Sequence, residues 1–262
     1  MVRDHGGSES ERVGGTAAWA PSHLPPRGVE LSPAQELACA VRHLDIVGFS
    51  ENMTGHVSWQ QPGNDTLLVN PWGFWWREAT GSSILEVDLD GAVVSGDWDV
   101  TPAIHIHTEL HRRRPDARVV VHSHPMNAAV LAAVPELPEI VHQNSSILSD
   151  EMVLVDDYDG EVDTPLAGGA LADAIGDRSV ALLVSHGVIV TAPTMQEAVY
   201  KSVLFERTCE MHWRLRAFGQ KATPIAPVFQ NQLKASLIER AADVYWDGAI
   251  RQLVATEPDV LD

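Results

Sequence analysis

Basic residues and cysteines are scarce in this sequence, and each scarcity argues against a class of function. Only 18 Lys and Arg stand against 36 Asp and Glu among 262 residues, which gives a formal charge of −18 at pH 7. Binding to nucleic acid or to an anionic membrane needs clustered basic side chains, so we expect neither partner. The two cysteines, Cys39 and Cys209, are far apart and form no CxxC pair, which argues against a disulfide framework and a cysteine metal site.

Long apolar segments are also missing. No run approaches the roughly 20 apolar residues that a helix needs to cross a bilayer. The segment Met1–Arg12 lacks the apolar core of a secretory signal peptide. We therefore expect a cytoplasmic protein.

The apolar content of 45% is enough for one large core, and its distribution defines the expected boundaries. Residues 1–30 are rich in Gly, Ser, Pro and charge without periodicity, and we expect a disordered leader there. Residues 31–255 are expected to form a single domain. A short tail is expected at 256–262.

Helical and strand patterns alternate along this domain. Helices are predicted from Pro33 to Val47 and at about 102–113, 126–133, 194–217 and 229–246, with Ser32 and Thr194 as N-caps. Short strands are predicted at about 56–59, 66–69, 86–89, 92–94, 118–122, 180–184 and 188–191. Sheet segments interleaved with helices in this way indicate a layered α/β fold.

Three of the twelve histidines follow apolar strand residues. His122 and His124 stand two apart where a strand ends, and side chains two apart in a strand share a face. His186 ends a second apolar strand, and Gly187 allows a sharp backbone turn beside it. Three convergent imidazoles can hold one divalent ion and leave a position open for water or substrate. Hydrogen-bonded histidines at strand ends are the alternative, and ligand type does not separate zinc, iron and manganese.

Two segments around these histidines resemble signatures of the class II aldolase/adducin family. Arg114–Pro125 (Arg-Pro-Asp-Ala-Arg-Val-Val-Val-His-Ser-His-Pro) is similar to the first signature, and Ser185–Ile189 is similar to the second. Further similarities lie at 48–58, 70–73 and 80–85, so the resemblance covers about residues 31–220. It implies a three-layer α/β/α fold with a central, mainly antiparallel sheet. It also implies that one divalent metal ion is bound by His122, His124 and His186.

The same resemblance implies a homo-oligomer, commonly a tetramer, with sites between subunits. Tyr158 falls near a family tyrosine that donates a proton from the neighbouring subunit, and a structural tyrosine is the alternative. Ser82 lies in one of the similar segments and is predicted to be a substrate-binding residue.

One part of the sequence departs from the sugar-phosphate aldolases of this family. Those enzymes carry a Ser-Ser-Glu run for phosphate binding and proton transfer, whereas the matching positions here are Thr101, Pro102 and Ala103. Alanine cannot act as a base, so a sugar-phosphate substrate is not expected. The following helix carries His105 and Glu109 on one face, and we predict that they form a replacement catalytic pair. An exposed helix ion pair is the alternative.

An aromatic loop lies close in sequence to the expected substrate site and contains Trp72, Phe74, Trp75 and Trp76. Flat rings form walls for an apolar or aromatic ligand, so Trp72, Trp75 and Trp76 are predicted to bind substrate. Subunit packing uses such rings equally well and is the alternative.

These features predict a metal-dependent carbon–carbon lyase that decarboxylates a hydroxylated aromatic or related carboxylic acid, the metal acting as a Lewis acid. The resemblance also admits a non-haem iron oxygenase. Such an enzyme would oxidatively decarboxylate a prenylated 4-hydroxyphenylpyruvate- or mandelate-type acid in aminocoumarin antibiotic biosynthesis. An aldolase for a non-phosphorylated substrate and a non-catalytic adducin-like module are the remaining alternatives.

Overall fold

The computed structural model describes residues 23–156, 160–219 and 221–262, and these contain an eight-stranded sheet. The strands are β1 His56–Trp59, β2 Thr66–Val69, β3 Leu85–Asp88, β4 Val93–Ser95, β5 Val119–Ser123, β6 Met152–Val155, β7 Val180–Leu183 and β8 Val188–Ala192. Their order is β4-β3-β2-β1-β5-β8-β7-β6. Neighbours are antiparallel except β6 and β7, which are parallel. The expected mainly antiparallel sheet is confirmed.

Helices cover both faces of this sheet. They are α1 Pro33–Ile46, α2 His105–Arg113, α3 Met126–Ala132, α4 Pro165–Ile175, α5 Met195–Ala217 and α6 Pro227–Thr256. Side chains alternate across a strand, and β5 shows the result. Val119 and Val121 belong to the core formed with α1, α3, α5 and α6, whereas Val120 belongs to the core formed with α2 and α4. The three-layer α/β/α arrangement is therefore confirmed.

The predicted helix starts follow from their capping residues. Ser32 Oγ accepts a hydrogen bond from the Gln35 amide at 3.3 Å, and the Ser32 amide donates to Gln35 Oε1 at 2.9 Å. This reciprocal pair satisfies amides that have no partner inside α1. Thr194 Oγ1 accepts from the Glu197 amide at 3.2 Å and begins α5 in the same way. Both N-cap predictions are confirmed.

Three features of the fold were not predicted from the sequence. Strand β6 and helix α4 are additional elements, and α6 ends at Thr256 rather than near 246. Helix α4 contains two adjacent glycines, which are weak helix formers. A side chain on Gly168 would come within 2.3 Å of the His105 carbonyl oxygen, so this glycine lets α4 pack closely on α2. Helix α6 continues because its last turns bury Ile250 and Leu253.

Residues 256–262, predicted as a tail, pack against the rest of the fold. Val260 is fully buried, and Arg42 forms ion pairs with Asp259 at 2.8 Å and with Glu257 at 3.4 Å. The Arg42 side chain is only 4% exposed, so these carboxylates compensate a buried charge. The segment therefore belongs to the folded body.

The predicted leader lies mostly outside the described residues, which begin at 23. Residues 23–30 form neither helix nor strand, and Arg27 pairs with Asp247 of α6 at 3.2 Å. Cys39 and Cys209 are buried free thiols, as the absence of a disulfide pattern suggested. Among the described helices, none is long and apolar enough to span a bilayer.

Candidate metal centre

The three predicted histidines converge at one end of the sheet. His122 lies in β5, His124 follows that strand directly, and His186 lies in the turn between β7 and β8. Because β5 and β8 are neighbours, the ends of these strands meet. One ring nitrogen from each histidine lies within 4.8 Å of the other two. Such convergent nitrogen donors fit a single divalent ion.

Close backbone approaches make this convergence possible. A side chain on Gly187 would lie 2.5 Å from His124 Cδ2, and one on Gly55 would lie 2.7 Å from the His122 carbonyl oxygen. Ser185, directly before His186, has φ of +57°, a left-handed conformation that is uncommon for a residue with a side chain. Backbone strain of this kind clusters at functional sites.

Second partners orient two of the three rings. His122 Nδ1 donates to the Val188 carbonyl at 3.0 Å, and His124 Nδ1 donates to Glu51 Oε2 at 3.0 Å. A carbonyl or carboxylate oxygen carries no hydrogen, so the proton must sit on Nδ1 and the lone pair on Nε2. Metal-bound histidines in proteins are oriented in the same way.

The donor atoms fit the metal that the resemblance implies. His124 Nε2 is buried, and it has no hydrogen-bond partner among the described residues. A buried nitrogen lone pair without a partner is costly unless a ligand meets it. Burial lowers the pKa of His186 to about 4, with a further contribution from His124. Burial also holds the pKa of His122 well below its usual value. Both rings are thus neutral near pH 7, as metal coordination requires.

The histidines line a cavity of about 330 Å³ whose other walls are partly apolar. These walls include Trp72, Thr101, Ala103, Ile106 and Val162, and Glu161 and Asp163 lie at the exposed side. Trp72 is half-exposed and lies at the cavity as expected. A partly apolar cavity with a few convergent polar groups is typical of a small-molecule site.

Two tryptophans and the serine predicted to bind substrate do not line this cavity. Trp76 is 1% exposed in the main core, where its Nε1 donates to the Gly55 carbonyl at 3.1 Å. Trp75 is on the surface and is not among the residues that line the cavity. Ser82 is also exposed, its amide donating to the Asp262 carbonyl at 2.7 Å. Trp76 therefore supports the cavity wall through Gly55, and substrate contacts of Trp75 and Ser82 stay predictions.

His105 and Glu109 do not line the cavity either. Ala103 and Ile106 face the cavity, so the helical rotation turns Glu109 toward α4, where a side chain on Gly168 would meet Glu109 Cγ at 3.1 Å. Glu109 is buried and pairs with Arg112 at 3.4 Å and Arg113 at 3.3 Å. Among the described residues, no hydrogen bond joins His105 to Glu109. The structure therefore does not bring this pair to the histidines, and Tyr158 lies outside the described residues.

Two residues at the site were not singled out from the sequence. Glu51 contacts His124 from a loop, and no local pattern could have predicted that contact. His56 in β1 lies opposite His122 in the strand register, and their ring centroids are 5.0 Å apart. The sequence signal for His56 was that Ser58 follows it by two residues in the same strand. Side chains at this spacing share one face of the sheet.

Comparisons with known proteins agree with this architecture. The family model described as Class II Aldolase and Adducin N-terminal domain matches residues 35–213. An adducin-related protein of Schizosaccharomyces pombe is 29% identical over 235 residues, which is 84% of this chain and 70% of that protein. Decarboxylase NovR of Streptomyces niveus is 28% identical over 188 residues, which is 70% of this chain and 69% of that protein.

Two further matches differ in what they show. The 4-hydroxy-3-prenylphenylpyruvate oxygenase/4-hydroxy-3-prenylbenzoate synthase of Streptomyces roseochromogenus is 28% identical over 187 residues, which is 70% of this chain and 67% of that protein. The solved structure of L-fuculose 1-phosphate aldolase from Glaciozyma antarctica has a TM-score of 0.77 and 21% identity, and the match covers 94% of this chain and 99% of that chain. At this identity the likeness shows the fold alone.

Proposed function

This chain belongs to the class II aldolase and adducin family, and we propose that it is a metal-dependent lyase that decarboxylates a hydroxylated aromatic or related carboxylic acid. One observation carries the proposal. His122, His124 and His186 converge on a cavity lined by Ala103, which the sequence resemblance matches to the carboxylate of sugar-phosphate aldolases. The site thus keeps a nitrogen donor set but has no base at the position that a retro-aldol cleavage uses.

The three histidines would hold one divalent ion through one ring nitrogen each, with His122 and His124 oriented by Val188 and Glu51. When bound, such an ion supplies Lewis-acid chemistry that stabilises negative charge on substrate oxygens. Zinc, iron and manganese are all compatible with these ligands.

In the proposed reaction, the bond between the carboxyl carbon and its neighbour breaks and carbon dioxide leaves. The electron pair stays on the substrate carbon until a proton is added there. Trp72 and Ile106 offer apolar walls for an aromatic substrate, and water at the exposed side of the cavity, beside Glu161 and Asp163, can supply the proton. Tyr158, in the same part of the chain, stays a prediction as a further proton donor.

The charge around the cavity favours a carboxylic acid over a sugar phosphate as the substrate. No Lys or Arg is among the described residues that line it, while Glu161 and Asp163 add negative charge. A phosphate dianion is normally met by Arg, Lys or several backbone amides. A monoanionic acid that chelates a metal ion needs less positive charge from the protein.

Metal analysis of anaerobically purified protein, followed by a carbon dioxide release assay with and without oxygen, tests the proposal. We expect one bound divalent ion and oxygen-independent release from a hydroxylated aromatic acid. Efficient cleavage of a sugar phosphate, or no release from any hydroxylated acid by metal-loaded protein, would contradict it.

The second candidate is a non-haem iron oxygenase that decarboxylates a related acid oxidatively. It is favoured by the similarity to the Streptomyces roseochromogenus oxygenase, which matches the chain as well as the decarboxylase does. Turnover that requires both iron and dioxygen would select this candidate.

We also propose that the chain forms a homotetramer in which a neighbouring subunit covers the cavity. Leu166 is 86% exposed, and this second residue of α4 comes three residues after Asp163 of the cavity. Apolar side chains this exposed are common at subunit contacts. Light scattering in solution would give the mass, and a monomer with full activity would refute the proposal.

A further inference from the structure

A second cavity, of about 470 Å³, lies between α5, the start of α3 and Tyr245 of α6. We call it the α5 cavity, because α5 supplies much of its lining. No described residue lines both this cavity and the cavity of the metal centre. Its apolar walls include Phe49, Met126, Val203 and Leu204. The α5 cavity is therefore a separate place at which a small molecule with an apolar body can be enclosed.

One face of α5 brings two hydrogen-bond donors to this cavity. Tyr200 and Arg207 are seven residues apart on α5, which is about two helical turns, so they share a face. Both line the cavity, and Val203 and Leu204 lie between them on the same face. A ligand in the cavity thus meets a hydroxyl, an apolar surface and a guanidinium along one helix.

The Tyr200 hydroxyl is available to a ligand. Tyr200 is only 6% exposed, and its hydroxyl makes no hydrogen bond to another described residue. The neighbouring Tyr245 differs, because its hydroxyl lies 2.8 Å from His43 Nε2. Polar groups of buried side chains normally have partners, so the Tyr200 hydroxyl needs one from the cavity that Tyr200 lines.

Arg207 is the uncompensated charge of the α5 cavity. Glu206 and Glu210 also line the cavity, but each has partners within the protein. Glu206 accepts hydrogen bonds from two backbone amides at the start of α3, at 2.8 and 2.9 Å, and Glu210 pairs with Arg214 at 2.5 Å. The Arg207 side chain is exposed and forms no ion pair or hydrogen bond with the described residues. The cavity therefore offers an unpaired positive charge and a neutral hydroxyl donor.

We propose that the α5 cavity binds the carboxylate of a small aromatic acid, at a site distinct from the metal centre. The Arg207 guanidinium donates two parallel hydrogen bonds to the carboxylate, and the Tyr200 hydroxyl donates a third. Phe49 and Leu204 pack against the aromatic body. Glu206 and Glu210 would repel a dianion more strongly than a monoanion, so a phosphate is not the ligand. This site does not depend on the reaction proposed for the metal centre.

NMR of methionine methyl groups in zinc-loaded protein tests the site, because each cavity is lined by one methionine. Met126 lines the α5 cavity and Met53 lines the cavity of the metal centre. Loss of a signal in Met126→Leu or Met53→Leu identifies each methyl group. We expect benzoate to move the Met126 signal along a saturable curve. Benzamide, a neutral molecule of the same shape, should need about a tenfold or higher concentration, as loss of charge-assisted hydrogen bonds implies.

Two variants assign the benzoate site to its donors. Arg207→Gln should raise the Kd of benzoate, measured at the Met126 signal, by about tenfold or more. Tyr200→Phe removes one neutral hydrogen bond and should raise this Kd by about threefold. Arg118→Gln is the matched control, because Arg118 also forms no ion pair with the described residues and does not line the α5 cavity. It should leave the Kd unchanged.

Three outcomes would overturn the proposal. A benzoate titration that moves only the Met53 signal would show that the acid binds at the metal centre alone. An unchanged Kd in Arg207→Gln would show that the guanidinium does not bind the carboxylate. If the Met126 signal moves with protein dilution and not with benzoate, a second copy of the chain occupies the cavity and the small-molecule assignment is wrong.

Discussion

Two groups of buried and half-buried polar side chains lie in different parts of the fold and are built differently. The histidine cluster, His122, His124 and His186, lines the cavity. The lysine cluster lies beneath α5 and is formed by Lys201, Glu197, Glu151, Ser179 and Lys234. Lys201 Nζ lies 2.8 Å from Glu197, 3.4 Å from Glu151 and 3.1 Å from Ser179 Oγ, and Lys234 also pairs with Glu151.

The two clusters differ in whether their buried polar atoms have partners within the protein. In the lysine cluster, two ammonium groups outweigh the effect of burial on Glu151 and lower the pKa of that carboxyl. In the histidine cluster, one ring nitrogen from each histidine lies within 4.8 Å of the other two, and buried His124 Nε2 has no hydrogen-bond partner among the described residues. Buried polar groups in a folded protein are normally satisfied, so the unpartnered His124 Nε2 at a cavity indicates a position for a ligand from outside the protein.

The largest expected effect is the loss of metal when one member of the histidine cluster is removed. His122→Ala should reduce the bound metal from stoichiometric to a small fraction and abolish activity, because two imidazoles rarely hold an exchangeable ion. Elemental analysis of dialysed protein measures this, with His43→Gln as the matched buried-histidine control. Full metal occupancy in His122→Ala would show that this histidine is not a ligand.

The lysine cluster should respond in the opposite way, with stability lost and metal retained. Lys201→Met keeps most of the side-chain volume but leaves Glu197 without this ammonium partner and Glu151 with Lys234 alone, which costs about 3 kcal/mol in comparable buried pairs. Urea unfolding measures the loss, and metal content per folded molecule should not change. Lys221→Met alters an exposed lysine and is the control. If Lys201→Met leaves the free energy of unfolding unchanged, the cluster contributes no net stability.

A smaller effect is expected at Glu51, which contacts the histidine cluster from outside. Glu51→Ala removes the acceptor of the His124 Nδ1 proton, and loss of such a partner typically weakens metal binding by about 10- to 100-fold. Competition with a chelator gives the affinity, and Asp65→Ala provides an exposed acidic control. If Glu51→Ala binds metal as tightly as the wild type, the tautomer of His124 is set by something other than Glu51.

The three histidines could be predicted from the sequence because their signal is local. Each ends or follows an apolar strand, and strand ends that meet in a sheet bring such residues together. The mainly antiparallel sheet and the helix caps at Ser32 and Thr194 depend on similarly local patterns or on the family resemblance. Those parts of the description agree with the structure.

What the sequence could not predict depends on tertiary packing. Glu51 reaches His124 only because a loop folds back over 73 positions of sequence. The adjacent glycines Gly168 and Gly169 are weak helix formers, so the sequence did not predict α4. Helix α4 covers one face of α2. Helical spacing predicts that His105 and Glu109 share one face of α2. It could not show that this face lies away from the cavity.

The smallest effect is expected where the sequence predicted a catalytic pair. Glu109 is held by Arg112 and Arg113 at the contact between α2 and α4, so Glu109→Gln should cost about 1 kcal/mol of stability, as partly exposed ion pairs do. Turnover in the carbon dioxide assay should fall less than about threefold in Glu109→Gln and His105→Asn, because removal of a true general acid costs about a hundredfold or more. A hundredfold loss in either variant, with metal content unchanged, would place that residue in the reaction after all. It would also require α2 to turn in the working enzyme, since Ala103 and Ile106 now occupy the cavity side of this segment.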